Sequence, residues 1–255
     1  MIKKINLNRF LKMLILFMKG EKMNKAYLAE LVATFALVFI GAGAVAANAI
    51  THGALGLVGI ALAHGLVLMS MIYATAHISG AHINPAVTIA MLFAKRINLQ
   101  NAMGYIVSQL IGAALAGFLL VVLFTSPQAE KVHYGVPDLA AGFPMMNGIL
   151  LEAILTFFLV FVIFGIAVDK RVNSSMAGLA GVAIGLVLTF DILVGGSFTG
   201  AAMNPARAFG PAFASGYWAT QIVYWAGPII GALIAAFVYS FLLMKEEKTN
   251  FKLKK

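Results

Sequence analysis

The chain has 255 residues, 62% of them hydrophobic and only 11% charged, with a mean hydropathy of +0.95. Soluble domains carry about 25% charged residues, and too little polar surface is left here to coat a globule of this size, which excludes a soluble domain and a disordered chain. No cysteine is present, so there is no disulfide framework, thiolate metal site or cysteine nucleophile.

The formal charge of +9 resides in the two ends. Residues 1–25 hold seven Lys/Arg against Glu21, and residues 245–255 hold five Lys against two Glu. Residues 26–244 are balanced, with six basic and six acidic side chains. No basic residues interleave with aromatics in a foldable module, so no nucleic-acid partner is expected. The tails read instead as a topology signal with some attraction to anionic membrane lipid.

In chain order, residues 1–22 come first. A charged stretch precedes an apolar run of six, Met13 to Met18, with no small-x-small cleavage site after it. This is too short for a signal peptide and reads as a basic extension. Beyond it, six segments meet, or nearly meet, the roughly 20 apolar residues that a membrane-spanning helix needs. They are 27–47, 53–76, 101–124, 145–168, 174–190 and 217–244. All are too long, and too rich in Leu, Ala and Gly, for the strands of a membrane barrel. The predicted fold is an all-α membrane protein of six spans. Lys95–Arg96, Lys170–Arg171 and the two ends hold 16 of the 18 basic residues, which places both termini in the cytoplasm, with the cell membrane as the expected location.

Two apolar stretches, 78–94 and 195–213, remain. Each holds a helix start, Asn84-Pro85 and Asn204-Pro205, with Asn suited to the N-cap and Pro to the first turn. A helix over 85–94 would be about 15 Å long, half the bilayer core. Two such half-helices meeting end to end predict one re-entrant pseudo-span. The chain also repeats itself. Shifted by 120, Gly80-Ala81-x-x-Asn84-Pro85-Ala86 becomes Gly200-Ala201-x-x-Asn204-Pro205-Ala206, and shifted by 122, Glu30-x-x-x-Thr34-Phe35 becomes Glu152-x-x-x-Thr156-Phe157. Three spans per half is odd, so the halves (about 26–124 and 147–244) must be inverted relative to each other.

Chemistry follows from the repeat. An N-cap Asn accepts a backbone N–H through its oxygen, which leaves its amide NH2 without a helical partner. Asn84 and Asn204 would then present two donors at the midplane, backed by two positive helix ends. A passing water would accept from them and point its hydrogens outward, which interrupts a proton wire, while the positive field repels cations. The carbonyls of Gly80, Ala81 and His82, and of Gly200, Ala201 and Ala202, would form a ladder of acceptors. One Asn-Pro-Ala alone would be only a helix cap.

The stretches Ser79-Gly80-Ala81-His82-Ile83-Asn84-Pro85-Ala86-Val87-Thr88 and Gly200-Ala201-Ala202-Met203-Asn204-Pro205-Ala206-Arg207 resemble the two signature loops of the aquaporin (major intrinsic protein) family. The resemblance covers about 23–244, which makes 245–255 a basic tail. It implies a homotetramer of passive pores, in a right-handed bundle, with no cofactor, metal or catalytic residue. Glu30 and Glu152 would be structural, tying down the re-entrant backbone. Arg207 would stand in a selectivity filter whose other positions, carried over by alignment, are His64, Ile192 and Ala201. This set resembles that of plant vacuolar aquaporins, some of which pass ammonia, urea or peroxide as well as water. Ala208, Ala212 and Tyr224-Trp225 favour water over glycerol. Ammonia-conducting relatives place a His in the third loop, where this chain has Asp138 or Leu139, with His133 nearby. His77 and His82 could suggest a metal pair but belong to the loop signature. Asn173-Ser174-Ser175 fits a glycosylation sequon but falls on the expected cytoplasmic side. Two alternatives stay open: a glycerol facilitator, and an inverted-repeat secondary transporter, which would need an intramembrane carboxylate that differs between the halves.

Overall fold

Asn24 opens the first helix by accepting the Ala26 N–H at 3.0 Å. The computed structural model describes residues 24–244, so the extension 1–22 and the tail 245–255 lie outside the described residues. In chain order the helices are α1 (Lys25–Ile50), α2 (Gly56–Ser79), α3 (Pro85–Phe93), α4 (Leu99–Leu123) and α5 (Pro127–Lys131). They continue as α6 (Met145–Ile163), α7 (Ser174–Ala177), α8 (Ala180–Thr199), α9 (Pro205–Ser215) and α10 (Gln221–Phe237). A π-turn at Phe164–Val168 extends α6, and another at Val238–Leu243 extends α10. Six of these helices are long and apolar enough to cross a membrane, and no strand occurs among the described residues.

Two predicted boundaries need correction. The fifth span is not 174–190 but α8, Ala180–Thr199. A carboxylate at 191 would end a lipid-facing helix, but Asp191 is turned inward with 1% of its surface exposed, and the helix runs through it. Residues 174–177 instead form the separate turn α7, capped by Asn173, which accepts the Met176 N–H. The sixth span starts at Gln221 rather than 217, because residues 217–220 are held to the third loop as described below.

Packing follows the inverted repeat. Helix α1 packs on α2 and α4, and α6 packs in the same way on α8 and α10. The halves exchange their short helices: α3 lies on α10, and α9 lies on α4. The two halves also meet where α2 crosses α8, at Gly65 and Gly185, a pair related by the repeat. A Cβ on Gly65 would stand 2.5 Å from the Gly185 carbonyl oxygen, and one on Gly185 would stand 2.6 Å from that of Gly65. Small residues permit this backbone approach, the usual means of helix association in lipid. Large apolar side chains such as Val58, Met146 and Leu186 face outward, while Glu30, Gln109 and Glu152 are fully buried. That is the arrangement expected where the surrounding medium is hydrocarbon.

Candidate functional site

Where each half-helix begins, the backbone is strained in the same way. Gly80, Ala81 and Ile83 have φ of 86°, 51° and 57°, and Gly200, Ala201 and Met203 have 79°, 43° and 51°. Each non-glycine residue there costs about 1–3 kcal/mol and persists only when its surroundings over-determine it. The buried carboxylates do this. Glu30 accepts from the Ser79 hydroxyl (2.7 Å), the His82 N–H (2.9 Å) and the Ile83 N–H (2.7 Å). Glu152 accepts from the Thr199 hydroxyl (2.7 Å), the Ala202 N–H (2.9 Å) and the Met203 N–H (2.7 Å). A tyrosine pair secures the incoming carbonyls: Tyr105 donates to Ser79 and Tyr224 to Thr199, both at 2.7 Å. Gln109 adds a fourth donor to Glu30 and also reaches Thr88. Counted from the two tyrosines, its counterpart in the second half is Pro228, which has no donor to offer.

Asn84 caps α3 by accepting the Ala86 N–H at 2.8 Å, and Asn204 caps α9 by accepting the N–H groups of Ala206 (3.0 Å) and Arg207 (3.3 Å). Pro85 and Pro205 occupy the first turns, and Ala86 and Ala206 are fully buried behind them. The amides differ from the expectation in one respect. Asn84 donates to the Met203 carbonyl at 2.8 Å, and Asn204 donates to the Ile83 carbonyl at 3.0 Å. An NH2 has two hydrogens, so one locks the N-termini of the half-helices together and the other stays available. The Ile83 and Met203 carbonyls, next after the predicted ladder, each spend a lone pair on these bonds.

A cavity of about 520 Å³ threads the bundle past these two asparagines. One mouth is lined by Arg96, Asn98 and Asn101; the cavity then passes Tyr105 and the backbone of Gly80, Ala81 and His82, and reaches His64 and Arg207. The Arg207 side chain gives Nη1–H to the Gly135 carbonyl at 2.6 Å and Nε–H to His64 Nε2 at 3.4 Å. His64 Nδ1 lies 2.9 Å from the Ile60 carbonyl. A carbonyl only accepts and a guanidinium only donates, so the imidazole is neutral, with its hydrogen on Nδ1. Its two nitrogens are both engaged within the protein. Of the other two filter positions, Ile192 and Ala201 are buried, but neither they nor Gly200 line this cavity, whereas Ala202 does.

The third loop descends onto Arg207 through Gly135 and is clamped at Asp138, which accepts from Tyr217 (2.5 Å), Thr220 (2.7 Å) and the Leu139 N–H (2.9 Å). The bond to Asp138, and then burial, push the Tyr217 hydroxyl above its ordinary pKa. His133 stacks on Tyr217 with ring centroids 3.8 Å apart. Leu139 packs against the buried cluster around Tyr224. None of Asp138, Leu139 and His133 lines the cavity. His82 contacts Thr88 through Nδ1 at 3.1 Å and meets Tyr105 edge-on. At the opposite face, Asp169 accepts from the Arg171 side chain and backbone and from Tyr239.

Sequence reasoning missed several of these residues. Tyr105, and the anchoring role of Tyr224 (singled out only as a marker of water over glycerol), could have been found by extending the repeat to the third spans, where the two stand 119 apart. Gly135 had no signal, since it acts through a carbonyl that every residue carries. Asp191 was visible as a charge. Its Oδ2 is buried with no hydrogen-bond partner, and its repeat position in the first half is Met71, so this carboxyl differs between the halves. It does not line the cavity.

Residues 18–239 match the profile of the family described as "Major intrinsic protein". The chain is 42% identical over 227 residues to "Aquaporin TIP4-4" of Zea mays, covering 87% of this chain and 88% of that one. It is 42% identical over 230 residues to "Probable aquaporin TIP3-2" of Arabidopsis thaliana, covering 86% and 84%. The X-ray structure of the aquaglyceroporin from Plasmodium falciparum superposes with a TM-score of 0.74 at 25% identity, covering 86% of this chain and 96% of that one.

Proposed function

Since the chain belongs to the major intrinsic protein family, the aquaporins, and is a passive water channel of the membrane rather than an enzyme, we propose that its cavity also passes ammonia and rejects glycerol, protons and ions. The observation that carries this reading is the cavity that runs past Asn84 and Asn204 to the paired His64 and Arg207. At the asparagines, the hydrogen not used in locking the loops is a donor to a passing water. With two helix N-termini behind it, the water is held oxygen-inward, so a hydrogen-bonded proton relay is broken there and cations are disfavoured. At the filter, Arg207 keeps N–H groups beyond the two that it gives to Gly135 and His64, and these serve the solute. His64 and Arg207 border the solute path, and Ile192 and Ala201 are the buried aliphatic members of the filter set. None of the four filter residues is aromatic in the manner that would seat a glycerol carbon backbone, whereas ammonia is close to water in size.

The unit that conducts is 23–244, assembled as a homotetramer in membrane lipid, with 1–22 and 245–255 as basic ends. Both termini lie in the cytoplasm, as the distribution of Lys and Arg supports, and the location is the cell membrane. Glu30 and Glu152 act as structural anchors rather than proton carriers. Stopped-flow light scattering on proteoliposomes tests the solute range. Fast water and ammonia flux with glycerol near the empty-liposome rate is expected. Rapid glycerol uptake would replace this reading with a glycerol facilitator.

A further inference from the structure

Gly41, on α1, lies beneath the imidazole of His64. A Cβ added there would stand 2.5 Å from both Cδ2 and Nε2 of the ring. Carbon atoms in contact need about 3.5 Å, so the ring can take its place against the α1 backbone only because residue 41 has no side chain. The remaining directions are fixed by the Ile60 carbonyl on Nδ1 and by Arg207 on Nε2. Leu37, one turn before Gly41, lines the cavity together with His64 and Arg207, so this face of α1 borders the solute path. Gly65, by contrast, meets the α8 backbone and Thr189, away from the ring.

We propose that Gly41 is a specificity-determining residue that acts through His64: bare backbone at 41 lets the imidazole lie back against α1 with Nε2 turned to Arg207, which sets both the width of the filter and the aim of its arginine. The proposal rests on the reading of His64 and Arg207 as the filter. A methyl group at 41 displaces the ring by about 1 Å, to be set against a water diameter of about 2.8 Å. The Nε2 to Arg207 contact, already 3.4 Å long, does not survive a shift of that size. The arginine then keeps Gly135 as its partner but loses the one that orients its Nε–H.

The test compares the unmodified protein, Gly41→Ala, His64→Ala and the double variant in proteoliposomes, with assembly followed by size-exclusion chromatography. Water, ammonia and methylamine permeabilities are measured. Gly41→Ala is expected to lower water permeability about tenfold, with a larger loss for methylamine than for water, since the larger solute is more sensitive to width. In the His64→Ala background the same change at 41 should alter every permeability less than about twofold, because the ring it strikes is gone. An unchanged Gly41→Ala, or an equal loss in both backgrounds, overturns the proposal. Should Gly41→Ala not assemble, the double variant decides: assembly and conduction like His64→Ala support the proposal, and failure to assemble places the need for glycine on the α1 backbone and overturns it. If His64→Ala itself leaves all permeabilities unchanged, it is the filter reading that fails, independently of Gly41.

Discussion

Replacing Glu152 by Gln keeps shape and volume but exchanges one acceptor oxygen for an NH2. Both carboxylate oxygens accept backbone N–H groups, Oε1 from Ala202 and Oε2 from Met203. Wherever the new NH2 points, it faces one of these donors. The Thr199 hydroxyl can rotate to accept from it, but a backbone N–H cannot reverse. The bond lost is worth about 1.5–3 kcal/mol, and the N–H orphaned in the interior costs about 1–3 more, so the total is about 2.5–6 kcal/mol. It falls on a loop already carrying left-handed residues at Ala201 and Met203. At about 2–4 °C per kcal/mol for a chain of this size, the midpoint of thermal unfolding should drop by about 5–24 °C in detergent. Glu30→Gln sets the same fault at His82 or Ile83, so the inverted repeat predicts a loss of similar size. Thermal unfolding of the purified variants measures both. A variant as stable as the parent would refute the anchoring argument, and loss of transport with full stability from only one of the two would point to proton coupling at that carboxylate.

Asn204→Asp retains a capping oxygen but removes the amide that bonds the Ile83 carbonyl, and adds negative charge between two helix ends; lower water flux and a measurable cation leak are expected, and normal values for both in proteoliposomes would contradict the midplane role. Asp191→Asn should leave water permeability within about twofold and stability undiminished, since an unpaired buried carboxyl contributes little that an amide does not; a severe loss of transport would reopen the secondary-transporter alternative. Hydrogen bonds from Arg171 hold the Asp169 carboxyl down at about 2, so the stability that this turn contributes is full above the ordinary carboxylate pKa of about 3.9 and is lost as pH falls from there through about 2. Protection factors of the amides of residues 169–173, with the intrinsic pH dependence of amide exchange divided out, should therefore fall only in that acid window and stay level between pH 5 and 8. With no native cysteine, Lys170→Cys can be probed by an impermeant thiol reagent; labelling from outside sealed cells would invert the assigned topology.

The fold was legible because a bilayer imposes few solutions. Runs of about 20 apolar residues must be helices, and an Asn-Pro start with too few residues to cross must be a half-helix. The inverted repeat was legible for a related reason: its markers, Glu30 with Glu152 and Asn84 with Asn204, are polar residues where the medium tolerates almost none. The end of the fifth span was misread because sequence carries no direction for a side chain, and Asp191 stops a helix only if it faces lipid. The site divides along the same line. The residue types of the filter could be written down from the chain, but their use of hydrogen bonds could not. That His64 spends both nitrogens on Ile60 and Arg207, that Gly135 holds the arginine through its carbonyl, and that each asparagine gives one hydrogen to the opposite loop all depend on atoms 72 to 143 residues apart, or on backbone groups that every residue possesses. Patterning along the chain records what a helix can bury, whereas the partners within reach of a donor are decided only when the two halves close on each other.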